Sequence, residues 1–291
     1  MGGVHLVTVW KDRLFLSVVY ILLAGLVVSV IFPLLYVISV SLTPYSEVLK
    51  QGGFLVFPRH VTLAAYKAFL RDGLIPHAYG VTVFITVVGT FVNLVLTSLM
   101  AYPLTKKYLP GRNAFLLLIV FTTLFGGGMI PTYLIVKETG LLDTVWAMIV
   151  PGAVGSFNLL VMKAFFENLP ESLDEAARID GAGETGILLR IVLPLSMPIM
   201  ATIGLFYAVG HWNEYFAAII YVSDRKLHPL QVMLQGILRA GQSPEMNIEE
   251  TMPTISLQMA AVVLTALPIV VIYPFIQKHF TKGVLLGSVK G

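Results

Sequence analysis

Apolar residues run in long blocks along this chain, and the polar residues collect between them. Stretches near 14–42, 78–105, 113–136, 144–166, 191–222 and 257–280 are each long enough to cross a bilayer, which takes about 20 apolar residues in an α-helix. The pattern predicts an all-α membrane protein, one domain over residues 1–291 with six transmembrane helices. The first block is longer than a signal-peptide core and has no small-residue cleavage site, so it reads as a retained anchor. Pro33 predicts a kink within it, with Ser29 and the neighbouring helices left to satisfy the freed carbonyl.

Three blocks carry polar or helix-breaking residues in patterns of their own. In the second, Thr82, Thr86, Gly89, Asn93 and Thr97 recur at helical spacing. Small and polar groups on one face let helix backbones approach and bond, so helix packing is preferred over pore lining. In the third, Phe125-Gly-Gly-Gly-Met-Ile-Pro-Thr132 predicts either a break that lines a cavity or a helix end with an outer turn. In the fifth, His211, Trp212, Asn213, Glu214 and Tyr215 stand together near membrane depth. On one helix His211, Glu214 and Tyr215 share a face, and a carboxylate there calls for water, a partner or a ligand. His211, Asn213, Glu214 and Tyr215 are therefore candidates for a substrate route, against the alternative of an aromatic belt at a span end.

A charged island, about 169–190, separates the fourth and fifth blocks. Pro170 cannot continue an earlier helix, Ser172 can cap a new one, and Glu175 three residues on would close a capping box. Gly181 ends the helix, with a positive φ expected there. Leu173, Ala176 and Ala177 form a small apolar face beside Glu175 and Arg178, which suits a plain loop helix or a knob gripped by another protein. Two further loops stand out. Thr62 heads a short amphipathic helix with Leu63, Tyr66 and Leu70 as its stripe, and 223–256 is long and polar enough to serve as a docking surface for a soluble outer partner.

Composition narrows the class. The chain is 57% hydrophobic and 12% charged with a mean hydropathy of +0.84, too apolar for a soluble domain. It has no cysteine, which excludes disulfides, thiolate metal sites and a cysteine nucleophile. A net charge of +3 with no basic run excludes a nucleic-acid role. His5, His60, His77, His211, His228 and His279 show no H-E-x-x-H or other metal spacing, which argues against an intramembrane metalloenzyme. Of the 19 Lys and Arg, 11 fall in the terminal segments, 106–112 and 163–190, although the opposite loops are longer. That density predicts both termini and the charged island to be cytoplasmic. No G-x-x-x-x-G-K-[ST] phosphate loop occurs, so an ATPase that drove transport would be a separate subunit.

Glu175-Ala176-Ala177, Asp180-Gly181-Ala182, then Ile191 and Leu193-Pro194, with nine residues between Gly181 and Ile191, resemble the E-A-A-x-x-x-G-x9-I-x-L-P loop of ABC importer permeases. Ala101-Tyr102, Pro110-Gly111-Arg112, Trp212-Asn213-Glu214, Ala266-Leu267-Pro268 and Val289-Lys290-Gly291 extend the resemblance to the MalG-like permeases of carbohydrate importers. Phe125 to Pro131 resembles the LplC/YtcP-type branch, associated with complex or acidic oligosaccharides such as alginate or aldouronate. The resemblance implies a type I importer fold in the bacterial inner membrane, with a coupling helix between spans 4 and 5. It implies that Leu173, Glu175, Ala176, Ala177, Asp180, Gly181, Ala182 and Pro194 engage the ATPase. It further implies no cofactor in this chain, ATP and Mg on two partner ATPase subunits, a second homologous permease and a soluble solute-binding protein. A channel or exporter would need no such cytoplasmic helix.

Overall fold

The computed structural model describes residues 9–53, 55–71, 73–240 and 254–288, and among them it is helical without strands. In chain order the helices are α1 (Val9–Ser41), α2 (Tyr45–Lys50), α3 (Ala64–Arg71), α4 (Leu74–Ala101), α5 (Arg112–Leu124), α6 (Met129–Glu138) and α7 (Ser156–Glu167). They continue with α8 (Glu171–Ile179), α9 (Glu184–Ile187), a π-helical turn (Leu188–Val192), α10 (Leu193–Leu195), α11 (Met197–Trp212), α12 (Phe216–Tyr221), α13 (Leu230–Ala240) and α14 (Ile255–Ser288). The chain divides into two compact units, Met1–Arg71 with Ile237–Leu264 and Asp72–Gly236 with Thr265–Gly291.

In the first unit α1 runs unbroken through Pro33 and is apolar on every side. From Leu14 to Leu35 its large side chains lie exposed, as expected of a helix with lipid for a solvent. Only its last turn is buried, where Val40 packs with Val48 and Leu55 and is flanked by Tyr36, Ile255 and Met259. Two bonds tie this end down: Ser41 Oγ lies 2.7 Å from Tyr66 Oη, and Ser256 Oγ donates to the Thr43 carbonyl at 3.0 Å. The α3 stripe differs from the sequence expectation. Thr62 Oγ1 does accept from Ala64 N at 3.2 Å, but the buried residues are Ala65 and Phe69, while Leu63 and Leu70 are exposed. Where the surroundings are as apolar as the protein, the larger apolar stripe need not be the inward one.

The second unit is built on α4. Its Thr82, Gly89, Asn93 and Thr97 are buried and Thr86 is half-buried; Gly89, Asn93 and Thr97 meet α11, which supports the packing reading for them, while Asn93 also borders a cavity. One apolar cluster gathers around Leu104, Met162, Ile187 and Ile203, and another around Ile85, Ile149 and Ala218. The segment after Phe125 is a true break: α5 and α6 meet at 119° across residues 125–128. At 13 and 10 residues neither half crosses a hydrocarbon core of about 30 Å alone. The 144–166 block is likewise not one helix. A 3₁₀ turn (Val145–Met148) precedes Pro151 and Gly152, and α7 starts only at Ser156. Among the described residues three helices are singly long and apolar enough to span, or up to five if each of two bent pairs crosses as one.

Candidate functional site

Two places gather the residues singled out in the sequence. The first is the charged island. α8 starts directly after Pro170, whose φ of −58° and ψ of 124° leave the chain extended, and no side chain caps it. The expected capping box of Ser172 and Glu175 is therefore not formed, since Ser172 already lies inside the helix. Acidic groups do its work: Glu171 and Asp174 sit in the first turn, where the helix dipole favours negative charge. The other end is as expected. Gly181 has φ +81°, its N–H returns to Arg178, and the N–H of Ala182 returns to Ala177 at 2.9 Å. That pair of bonds is the Schellman closure, and a Cβ at Gly181 would be strained although nothing crowds it.

The helix face is rotated from the expected one. Ala177 is buried in this chain's own core with Tyr102, Phe166 and Ile187, whereas Ala176, Glu175 and Asp180 are exposed and Ile179 is 86% exposed. Leu173 and Glu175 border a cleft of about 590 Å3 shared with Lys106, Lys107 and Tyr108. Ala182 packs partly buried against the core cluster. Pro194, exposed in α10, follows the π turn. Its ring cannot accept the regular helical pattern behind it, and one turn of wider winding precedes it. A bend of 82° then separates Glu184–Leu195 from Met197–Trp212.

A network unseen in the sequence surrounds α8. Lys106 Nζ donates to both carboxylate oxygens of Asp174, at 2.9 and 2.8 Å, and lies over the Tyr102 ring. Glu184 accepts from Tyr102 Oη at 2.7 Å, from Tyr108 Oη at 2.9 Å, and from Arg178. Arg178 also reaches Tyr108 Oη at 3.1 Å and Asp174 at 3.4 Å. Its hydrogen bonds to Tyr108 and then Glu184 hold the guanidinium above its ordinary range, so it stays charged at any working pH. Nearby, Glu167 accepts from Arg112 at 2.6 Å and Lys163 at 2.7 Å. Only the crowding of opposite charges in 102–112 and 163–184 hinted at this.

The second place lies where α4 meets α11. His211 is buried and sits against Gly89, where an added Cβ would lie 2.5 Å from Nε2. Asn93 Nδ2 donates to that same nitrogen at 3.0 Å. One turn of the seam away, Thr97 Oγ1 and Tyr207 Oη lie 2.8 Å apart, and Tyr207 Oη accepts from Gly155 N. Asn93 Oδ1 has no partner. The expected shared face of His211, Glu214 and Tyr215 is not kept, because α11 stops at Trp212 and α12 starts at Phe216. The helix breaks there to let Glu214 Oε1 accept from Ala217 N at 2.9 Å. Glu214 and His211 do line one cavity of about 470 Å3, with Asn93, Phe206, Tyr207, Phe216 and Tyr221. Tyr215 is not among its lining residues, and exposed Asn213 instead takes Gln231 Nε2 at 3.3 Å. Among the described residues no cluster of His, Asp and Glu fits a metal ion.

Comparison with known proteins covers almost the whole chain. Residues 7–286 match the family described as "Binding-protein-dependent transport system inner membrane component". The polygalacturonan/rhamnogalacturonan transport system permease protein YtcP of Bacillus subtilis (strain 168) is 45% identical over 97% of this chain and 100% of its own. Protein LplC of the same organism is 47% identical over 92% of each. Among solved structures, a chain of a bacterial ABC transporter involved in the import of the acidic polysaccharide alginate is 32% identical. It superposes with a TM-score of 0.86, over 93% of this chain and 98% of that one.

Proposed function

Because this chain belongs to the family of binding-protein-dependent transport system inner membrane components, we propose that it serves as the permease subunit through which a complex or acidic oligosaccharide is imported. The chain is a membrane permease subunit of a sugar ABC importer with the type I fold, and the hydrolysis of ATP belongs to separate ATPase subunits. The observation that carries the substrate reading is the end-to-end likeness to YtcP, strengthened by the alginate importer as structural neighbour.

In this reading residues 1–291 form one permease domain that crosses the bacterial inner membrane six times, with the bent pairs α5–α6 and Glu184–Trp212 each counted as one crossing and the fourth made by 144–166. Both termini and α8 face the cytoplasm. A second, homologous permease completes the pore, two ATPase subunits bind ATP and Mg, and a soluble binding protein delivers the sugar outside. α8 is the coupling helix. Glu175, Ala176 and the edge of Leu173 meet the ATPase, Ala177 and Ala182 seat the helix on the permease, and Asp180, Gly181 and Pro194 set its exit. Glu214 and His211 border the route, with Asn213 and Tyr215 at the break that shapes it. The aromatic rings of Phe206, Tyr207, Phe216 and Tyr221 around that cavity, with the Glu214 carboxylate, suit a hydroxyl-bearing ring.

The test is a reconstituted complex with its ATPase subunits and binding protein. ATP hydrolysis is expected to require both the ATPase and the loaded binding protein, and to respond to uronate oligomers within a glycan panel. A response confined to neutral sugars removes the acidic assignment, and indifference to the binding protein removes the importer.

A further inference from the structure

The joint between α8 and α9 is short, and Ala182 is its one residue packed against the core cluster. The Schellman bonds carry the chain as far as Ala182, and the connection then passes through Gly183, where an added Cβ would meet nothing within 4 Å. A push on α8 would be absorbed there by backbone rotation unless something bridges the gap. Arg178, in the last turn of α8, and Glu184, the first residue of α9, meet across it. Tyr102, next after α4, and Tyr108 donate to the same carboxylate.

We propose that Arg178 and Glu184 are positioning residues for coupling: the pair makes α8 and α9 move as one body, so that a displacement of α8 enters the π turn and bends α11 instead of dissipating at Gly183. This rests on the reading of α8 as the coupling helix, and Tyr102 extends the same body to the end of α4. The pair is placed for transmission rather than for stability. Its side chains are 41% and 47% exposed, and ion pairs in that setting contribute little to folding. Losing the pair therefore costs coupling and leaves assembly in place.

The chain has no native cysteine, so a tether across the joint can be installed cleanly. The experiment uses the reconstituted complex, with other subunits free of reactive thiols, carrying Arg178→Cys/Glu184→Cys. The reduced variant is expected to insert, assemble and hydrolyse ATP at the basal rate, while stimulation by loaded binding protein and sugar uptake fall roughly tenfold. A short bifunctional thiol reagent should restore both. Glu184→Gln, which keeps the side-chain volume but not the ion pair, should show the same loss without rescue. Normal stimulation in the reduced double variant overturns the proposal, and so does a tether that rescues nothing. Failure of both variants to assemble overturns it too, in favour of a purely structural role. If the unmodified complex itself hydrolyses ATP without regard to the binding protein, the importer reading falls instead.

Discussion

The seam between α4 and α11 and the network around α8 hold helices by opposite means. The seam is neutral and closely packed: Asn93 on His211, Thr97 on Tyr207, and a glycine where the His211 ring touches the neighbouring helix. The α8 network is charged and open to water, with Lys106, Asp174, Arg178 and Glu184 all partly exposed. Exposed pairs are worth about 0–1 kcal/mol each and re-form readily after being broken, whereas overpacking a closed contact costs about 1–3 kcal/mol. The difference teaches where the molecule is rigid by shape and where it is held only by charge.

The sharpest way to break the contrast is Gly89→Leu. The new side chain must displace the His211 ring, which would lose its Asn93 bond, so folded yield should collapse, with a cost at or above about 3 kcal/mol. Thermal unfolding in detergent measures it, and Gly89→Ala combined with His211→Ala should melt above Gly89→Leu because the clash has been cleared, yet below the parent because a cavity and an unpaired Asn93 amide remain. An unaltered melting point for Gly89→Leu would mean that the seam is loose. Next comes Ala177→Trp. Because Ala177 faces the core, the isolated permease should lose about 1–3 kcal/mol even with no ATPase present. Unchanged stability with failed assembly would turn that face outward again.

Gly181→Val forces a β-branched residue to φ +81°, at a cost of about 1–3 kcal/mol confined to the α8 exit. Sugar-stimulated ATP hydrolysis should suffer more than the melting point. Asn93→Leu should cost about 0.6 kcal/mol, the usual worth of a hydrogen bond between membrane helices, read from a double-mutant cycle with His211→Phe. Smallest is Glu175→Gln. With no capping box to close, the exposed carboxylate should be nearly neutral for stability, within about 0.5 kcal/mol, so any loss of hydrolysis reports on the ATPase contact alone.

What the sequence revealed follows the same division. The α4 stripe was readable because small and polar residues are rare in an apolar helix, so their spacing names the buried face. Gly181 was readable because only one backbone shape makes a glycine useful just there. The inward faces of α3 and α8 were not, since Leu63 and Leu70 offer as much apolar surface as the buried Ala65 and Phe69, and Ala176 as much as the buried Ala177. Nor was the helix break at Asn213, which depends on Glu214 finding an amide three residues ahead. The pairing of Glu184 with Tyr102, 82 positions apart, has no local signature at all.

The closure at Gly181 bears on how a subunit is parted from its neighbour. The carbonyls of Ala177 and Arg178, which a helix end usually leaves begging, are already answered by Ala182 and Gly181. A plug finished in this way asks fewer hydrogen bonds of its socket at that end, so withdrawing it breaks no bond at these two carbonyls. Under the proposed role, the same permease could be unseated from one motor and reseated on another of similar shape, with fit rather than bonding at that end deciding the match.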